Sequence, residues 1–489
     1  MQRFRSLFVP AVLTTWMLSA SGPLAQEPTP LTVIEAGTVH PVSAPPIEDG
    51  IVVVRGERIL AVGKQGDLQF PPDTTVHRFP TGHVYPGLID AQTDAFTDAT
   101  LQRDTSLNGA SLIKDGLVWS DARDDHLVEH GITTAYVTVR TGAQVRGQGC
   151  IVRPLRTGFE PWPGHEQAAL ELRMTSGRGS SHPLARQQQF AGIARLFDNL
   201  EQYRESREKY QEALEKYRKD FAAYLEHHRK KNGKEAPASG GAAGAQREGE
   251  SQPAAAQPQA TAATKKGEKA EDGKAKKGDG PKRPTFPKKV KVDDQKEALL
   301  KVLDGELPLR VEAHRPDELR AALQMQVDKE IPLLVLEQAY GADRLAERIA
   351  RQGASVVLTD VLPHSLGAPG DRRNPYAKFD PTALPRILDE AGVPFAIASG
   401  DARLSPLLPM MAAAAIGRGL SPAAALRAIT LTPAEILGIA DDTGSLQRGK
   451  FADLLVTDGP LFASDSKLLL VIARGRTQHQ AQSQTTKPK

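Results

Sequence analysis

Residues 85–94 have the sequence YPGLIDAQTD, and this stretch decides the fold of the 489-residue chain. Its core, Gly87 to Asp90, predicts a short buried strand that opens a second structural unit after a β-rich first one. Residues separated by one position in a strand, such as Gln92 and Asp94, point to the same side. Two histidine side chains at such positions can hold one divalent cation together. The residues here are glutamine and aspartate instead. Glutamine is a poor zinc ligand, and the carboxylate of aspartate is a usable but harder ligand. The stretch predicts the strand and leaves its metal chemistry open.

Apolar runs separated by turn residues lie near both ends of the chain. Ile51–Val54 and Arg58–Val62 flank the turn Arg55-Gly56-Glu57 and predict a β-hairpin. Residues 444–473 repeat this pattern near the other end. Two β-rich ends around an α/β middle favour one small composite β-sandwich formed by both termini, and two separate β subunits are the alternative.

Strands and helices alternate in the middle of the chain, and Pro316 stands at a favoured first-turn position of one predicted helix. β/α repeats of this length predict an α/β fold, a (β/α)8 TIM-type barrel of parallel strands. The strand candidates are Gly87–Asp90, Thr133–Val139, Leu309–Ala313, Leu333–Leu336, Ser355–Thr359 and Phe395–Ala398.

Residues 197–292 interrupt this alternation. They begin with a helical stretch in which tyrosines recur every seven residues, at Tyr203, Tyr210, Tyr217 and Tyr224. From residue 230 to 291 the composition becomes Lys, Ala, Gly, Gln and Pro, which cannot bury enough apolar surface to offset the entropy of ordering. We expect a disordered loop there. Its basic residues could bind an anionic polymer or membrane weakly, but a solvated linker is favoured, and a net charge of +3 does not indicate nucleic-acid binding.

The N-terminus has the order of a secretory signal peptide. Arg3 and Arg5 precede an apolar run from Leu7 to Leu18 and then small residues. The run is short for a bilayer span of roughly 20 residues, which disfavours the alternative of an uncleaved anchor. We expect an exported protein, periplasmic or extracellular, with no transmembrane segment after signal cleavage. The single cysteine, Cys150, excludes an internal disulfide and is compatible with an oxidising compartment.

Polar residues follow several predicted strands where catalytic groups lie in such barrels. His314 ends the fifth, Glu337 and Gln338 end the sixth, and Asp401 follows the eighth. Glu337 is a further spare carboxylate, although strand alternation favours a direction away from the barrel interior. Together with PGLID at 86–90 and GSLQRGKFADLLV at 444–456, these residues resemble the amidohydrolase superfamily, in particular its imidazolonepropionase-like branch. The resemblance covers nearly all of the chain except the signal and the insertion.

The resemblance implies a metal held by a His-x-His pair on the first strand and by histidines after the fifth and sixth strands. It also implies an aspartate after the eighth strand that binds the metal and acts as general base. His314 and Asp401 match this pattern, whereas Gln92, Asp94 and Gln338 stand where histidines are implied. The candidate metal ligands are therefore His314, Asp401 and Asp94, with Asp401 as the catalytic base and Gln92 and Gln338 at degenerate metal positions.

Each of these residues has a simpler structural interpretation. His314 could orient the turn into the following helix, and Asp401 could cap a helix. Gln92 and Asp94 could replace metal bonds by hydrogen bonds, which is the favoured interpretation of this pair.

Two functions follow. The first is a hydrolase of non-peptide C–N bonds in a small-molecule amide or cyclic amide. It would use at most one divalent metal, for which zinc is favoured, or no metal. The second is a non-catalytic relative that binds a small ligand or a partner. The predicted boundaries are 1–25 (signal peptide), 26–84 (first part of the sandwich), 85–196 (first part of the barrel), 197–292 (insertion), 293–438 (second part of the barrel) and 439–489 (second part of the sandwich and a polar tail).

Overall fold

The computed structural model describes residues 31–67, 70–71, 74–119, 127–140, 143–174, 183–232, 281–359, 361–362 and 380–481. The chain divides into two compact units, one of residues 1–198 with 294–489 and one of residues 199–293. The predicted signal peptide and residues 233–280 of the predicted disordered loop lie outside the described residues. In the described part of the chain, no helix combines the length and the apolar character that a membrane span requires.

Strands from both chain ends form one sheet of seven, in the order β16-β15-β14-β4-β1-β2-β3. Strand β4 joins the two ends, because it pairs in parallel with β1 and antiparallel with β14. The joint sheet agrees with the predicted composite unit, and its arrangement as a sandwich stays a prediction. The strands are β1 (Leu31–Val39), β2 (Ile47–Arg55), β3 (Arg58–Lys64), β4 (Thr75–Pro86), β14 (Leu454–Thr457), β15 (Leu468–Ala473) and β16 (Arg476–Gln480).

Eight strands form the path of a second, nearly closed sheet, in the order β5-β6-β7-β9-β10-β11-β12-β13, with β8 paired to β7. This is the barrel predicted from the α/β alternation, and these eight are its first to eighth strands. The backbone N–H of Gly400, just after β13, donates to the carbonyl of Gln92 in β5 at 2.7 Å and helps to close the ring. The strands are β5 (Leu88–Thr93), β6 (Ile132–Val137), β7 (Val145–Leu155), β8 (Gly158–Pro161), β9 (Ala169–Arg173), β10 (Leu309–Glu312), β11 (Leu334–Glu337), β12 (Ser355–Leu358) and β13 (Phe395–Ile397).

The third barrel strand corrects the prediction of an all-parallel barrel. β7 is antiparallel to both of its neighbours, β6 and β9. Parallel neighbours need a crossover connection of about a dozen residues or more, whereas residues 138–144 alone join β6 to β7. As a result the beginning of β7, at Val145 and Arg146, lies beside Leu172 at the C-terminal end of β9.

Buried apolar residues fill part of the barrel, and charged side chains are buried with them. One cluster includes Ile89, Tyr136, Trp162 and Leu437, and a second includes Ala91, Val335, Val357 and Ala396. The barrel also buries Glu171, Arg310 and Glu337 almost completely. Isolated buried charges are costly, so each of them must find a partner within the barrel.

Helices surround the barrel and form most of the second unit. In the described residues of that unit one long helix, α2, and the segment 281–293 are seen, and Phe286 from this segment packs 5.1 Å from the ring of Tyr217. The helices are α1 (Pro183–Arg195), α2 (Leu200–Asn232), α3 (Asp294–Leu303), α4 (Pro316–Asp328), α5 (Ala346–Arg351), α6 (Leu384–Glu390), α7 (Leu408–Ile416), α8 (Pro422–Arg427) and α9 (Leu431–Ile436).

Candidate functional site

His314 and Gln338 meet at the C-terminal edge of the barrel. His314 Nε2 lies 2.7 Å from Gln338 Oε1 and 3.5 Å from Glu312 Oε1. The ring of Tyr340 packs 5.2 Å from the imidazole, whose side chain is 31% exposed. With the Gln338 amide oxygen as acceptor, Nε2 carries the proton and Nδ1 is left as a hydrogen-bond acceptor. This imidazole is therefore arranged to take up a proton at Nδ1.

The turn between β10 and α4 fixes the backbone of His314. The carboxylate of Glu318 accepts hydrogen bonds from the backbone N–H groups of His314, at 2.9 Å, and Arg315, at 3.0 Å. Glu318 is the third residue of a helix that begins at Pro316, so it binds donors that the helix itself leaves unused. The carboxylate of Glu318, rather than the imidazole of His314, makes these contacts, so the expectation that His314 orients this turn stays a prediction.

Gln338 departs from regular strand geometry, which corrects one prediction. Its φ is 52°, an uncommon value for a residue other than glycine. Alternation predicted that Glu337 points away from the barrel interior, yet Glu337 contacts Gln92 and Arg310 while Gln338 contacts His314. The left-handed backbone at Gln338 ends the alternation and allows both side chains to reach the polar interior. Strain of this kind is found most often at functional sites.

Gln92 is held by a carboxylate rather than by another candidate metal ligand. Its Nε2 donates to Glu337 Oε2 at 2.8 Å, and Arg310 Nε donates to Glu337 Oε1 at 2.6 Å. Arg310 also donates to the carbonyl of Ala91 at 2.9 Å. The resemblance implies an imidazole at this position of the first strand. The residue there is instead an amide that is hydrogen-bonded to a buried ion pair.

A second carboxylate, Glu171 on β9, extends this network. Its Oε1 accepts from the hydroxyl of Tyr136 at 2.6 Å and lies 3.4 Å from Arg310 Nε. Burial and the nearby Glu337 raise the pKa of Glu171 to about 8. The guanidinium carbon of Arg310 stands 4.0 Å from the centre of the Tyr136 ring. We name Gln92, Tyr136, Glu171, Arg310 and Glu337 the Arg310 network.

Asp94 and Asp401 lie at the joint between the first and eighth barrel strands. Asp94 Oδ1 accepts from the backbone N–H of Ala402 at 2.9 Å. Asp401 binds Arg403 at two points, with Nε 3.0 Å from Oδ1 and Nη2 2.6 Å from Oδ2. The hydrogen bonds from Arg403 lower the pKa of Asp401. Asp401 is therefore a paired carboxylate, which makes it a weaker base than a free one.

Asp90 locks the same joint from within the barrel wall. Its carboxylate accepts from Ser399 Oγ at 2.5 Å, from Ser405 Oγ at 2.8 Å and from the backbone N–H of Ser399 at 3.0 Å. Burial raises the pKa of Asp90, although these donors oppose the shift. These contacts give Asp90 a structural role in the barrel rather than a role in ligand binding.

Glu312, Arg146 and Arg173 form a polar group that the sequence analysis did not select. Glu312 lies 2.5 Å from Arg146 Nη2 and 3.3 Å from Arg173 Nε, in addition to its contact with His314. A sequence signal for Glu312 existed, because Arg310, Glu312 and His314 alternate along one strand. Arg146 could not be placed, since the antiparallel strand that carries it was not predicted.

The described residues do not fit a metal centre. Over the ranges given above, no three His, Cys, Asp or Glu side chains come close enough to hold a metal ion together. A catalytic zinc usually requires three protein ligands and an open position. The proposed ligands His314, Asp401 and Asp94 are instead bound to Gln338, Arg403 and the backbone of Ala402. We therefore derive no step through a metal.

Comparison with known proteins points to one family. Residues 342–484 match the model of the amidohydrolase family. An imidazolonepropionase from Aromatoleum aromaticum is 48% identical over 67 residues, which are 13% of this chain and 16% of that protein. The chain thus aligns with less than a fifth of the length of this curated relative. These matches confirm the resemblance that the sequence motifs predicted.

Solved structures support the same fold. An amidohydrolase from Thermotoga maritima has a TM-score of 0.67 at 18% identity, over 92% of this chain and all of that one. Another solved amidohydrolase has a TM-score of 0.50 at 16% identity, over 91% of this chain and 98% of the other. At such low sequence identities the similarity establishes the barrel fold. It does not identify the substrate, which depends on the residues of the site.

Proposed function

We propose that this chain is an amidohydrolase-type hydrolase that cleaves a non-peptide C–N bond, in an amide or cyclic amide of a small molecule, without a two-metal centre. The match over residues 342–484 and the shared barrel fold support the hydrolase class. The hydrogen bond from Gln92 to Glu337 is the observation that supports the proposed absence of a two-metal centre.

That hydrogen bond belongs to a network in which a guanidinium already neutralises the carboxylate next to Gln92. Arg310 is 1% exposed and pairs with Glu337 at 2.6 Å. A divalent ion that bound Glu337 beside Gln92 would have to compete with this buried guanidinium for the carboxylate, and the two cations would repel each other strongly at low effective dielectric. Glutamine also offers a weak ligand in place of imidazole. Both effects favour a protein that works with one weakly bound metal at most, or with none.

In this proposal His314 transfers the proton. Its Nε2–H is held by Gln338 and faces the carboxylate of Glu312, so Nδ1 can accept a proton from the water that attacks the carbonyl carbon and return it to the leaving nitrogen as the C–N bond breaks. A general base placed in this way contributes about 10²- to 10⁴-fold to a rate. Asp401, which the resemblance implies as the base, is held by Arg403 and is the poorer acceptor.

A specific observation favours a second candidate function, a non-catalytic protein that binds a small ligand. The two-point pairing of Asp401 with Arg403 engages the carboxylate after the eighth strand, where the resemblance implies the general base. A pocket with a paired carboxylate can bind a ligand without turning it over.

The proposal also includes export to the periplasm or the medium, on the strength of the signal-like residues 1–25. N-terminal sequencing of the mature protein from these fractions tests it. An intact Met1 in the cytoplasmic fraction would contradict it.

The decisive experiment measures hydrolysis and metal content on the same full-length protein, purified after growth in zinc-supplemented medium. We expect hydrolysis of at least one member of a panel of N-acyl amino acids and cyclic amides, with metal below about a tenth of an equivalent. Replacing His314 by Gln should reduce kcat by at least about 100-fold without lowering Tm. His479→Gln, on β16 of the other sheet, serves as the matched control.

Each alternative outcome has a definite meaning. Activity that requires two equivalents of bound metal would contradict the proposed absence of a two-metal centre. A folded protein that binds members of the panel and cleaves none of them would establish the second candidate.

A further inference from the structure

We infer that Arg146 and Gln338 form a binding site for a carboxylate group of the ligand, next to His314. The inference rests on the proposed function, because it places the ligand in the same site, and it specifies the substrate as an anionic amide or cyclic amide.

Arg146 supplies most of the donors of this site. The residue is 2% exposed and its Nη2 lies 2.5 Å from Glu312 Oε2. Nε and Nη1, which carry three of the five N–H donors of a guanidinium, have no hydrogen-bond partner among the described residues. A buried donor without an acceptor is costly, and more so when the group is charged. These N–H groups therefore call for an oxygen-bearing anion.

Gln338, which contacts the same Nε2 of His314 as Glu312 does, adds a neutral donor. Its Oε1 is engaged by His314 at 2.7 Å, whereas its Nε2 is buried without a partner in the described part of the chain. If the side chain turned over, its N–H could bond to His314 only in the other tautomer of the imidazole, and Oε1 would then be the buried atom without a partner. Arg146 and Gln338 are thus linked through Glu312 and His314, and both keep unused N–H groups.

The charge of the site matches a single carboxylate. Arg146 and Arg173 both pair with Glu312, which leaves one net positive charge beside a neutral Gln338. A monoanion balances this charge. A phosphate dianion would bring a second negative charge toward the Glu312 carboxylate, where like charges repel. A divalent cation would face both guanidinium groups.

Bringing a carboxylate to this position has a consequence for the reaction. The anchored end of the ligand fixes the orientation of its C–N bond relative to His314 Nδ1, and positioning of this kind is a large part of catalysis. Guanidinium groups are suited to carboxylates because their geometries match.

Calorimetric titration of the full-length protein with N-acetylglycine tests the inference without requiring turnover. The neutral amide of the same compound, N-acetylglycinamide, is the matched probe. We expect N-acetylglycine to bind at least about tenfold more tightly than the amide, a difference of about 1.4 kcal/mol. Arg146→Lys should weaken N-acetylglycine binding by at least about tenfold, because lysine lacks the planar array of donors.

Arg344→Lys is the control substitution, since the Arg344 side chain is 76% exposed. It should leave binding unchanged. Should Arg146→Lys fail to fold, Gln338→Met provides the second test, with an expected loss of several-fold in affinity for the acid alone. Equal binding of acid and amide, no binding of either at about 10 mM, or wild-type affinity in a folded Arg146 or Gln338 variant overturns the inference. Because the readout is binding, a protein that binds the acid without cleaving anything would refute the hydrolase proposal and retain this one.

Discussion

The side-chain amide of Gln92 donates a hydrogen bond to the carboxylate of Glu337 at 2.8 Å, which links the first barrel strand to the sixth. These strands are separated in the sheet order, so the bond crosses the interior of the barrel. Glu337 in turn binds Arg310. Polar side chains connected to one another occupy a position where the family resemblance implies a cation.

Replacing Gln92 by Ala should therefore destabilise the fold. The change removes a donor from a buried carboxylate, and we expect a loss of about 1–3 kcal/mol in the free energy of unfolding. Urea denaturation followed by circular dichroism measures it. Gln324→Ala, on the exposed face of α4, is the control and should change stability by less than about 0.5 kcal/mol. Equal losses in the free energy of unfolding would show that the hydrogen bond between Gln92 and Glu337 does not stabilise the fold.

Arg310→Met should be more severe. It leaves the Glu337 carboxylate buried without its cation, and breaking a buried ion pair from one side costs about 3–5 kcal/mol. The double variant Arg310→Met with Glu337→Gln also removes this stranded charge and should recover part of the loss. The same denaturation experiment compares the two variants. A double variant as unstable as the single one would argue against the ion pair as the cause.

The main outlines of the fold could be predicted from the sequence because they depend on local apolar patterning. The run after Gly87 became β5, and the β-rich segments near both ends became strands of a single sheet. β7 escaped prediction because Gly147, Gly149 and Pro154 interrupt it, and these residues are uncommon in strand interiors. The short connection between β6 and β7 indicates an antiparallel direction, but this connection can be measured only after β7 has been recognised as a strand.

The site could be predicted only in part, because its contacts join residues that are distant in the chain. His314 and Gln338 were selected correctly as strand-end residues, and the structure brings them together. Arg146 and Glu171 could not be selected, since nothing local shows that they face Glu312 and Arg310. Glu337 was assigned to the wrong side because the left-handed backbone of Gln338 is not visible in the sequence.

The Arg310 network should make stability depend on pH. Burial and Glu337 raise the pKa of Glu171 to about 8, compared with an ordinary value of 4.5. Between these values the folded protein keeps a proton that the unfolded chain releases, so stability falls as the pH rises from about 4.5 to 8. Glu171→Gln should remove this contribution. The stability of the variant relative to wild type should therefore increase from pH 5 to pH 8 in urea titrations, and a constant difference would contradict the raised pKa.

His40 predicts the opposite dependence in the sheet formed by both chain ends. Its ring stacks on Tyr85 at 4.3 Å, and its Nε2 lies 3.1 Å from Nδ1 of His83. Burial, with a smaller effect of His83, lowers the pKa of His40 from 6.5 to about 4. The unfolded chain then binds a proton first, so stability is lost as the pH falls from about 6.5 to 4. Solvent screening of this partly exposed ring limits the effect to on the order of 1 kcal/mol. In thermal unfolding, His40→Gln should show a smaller decrease in Tm between pH 7 and pH 5 than wild type, whereas His77→Gln should behave like wild type. An identical decrease in the His40 variant would refute the assignment.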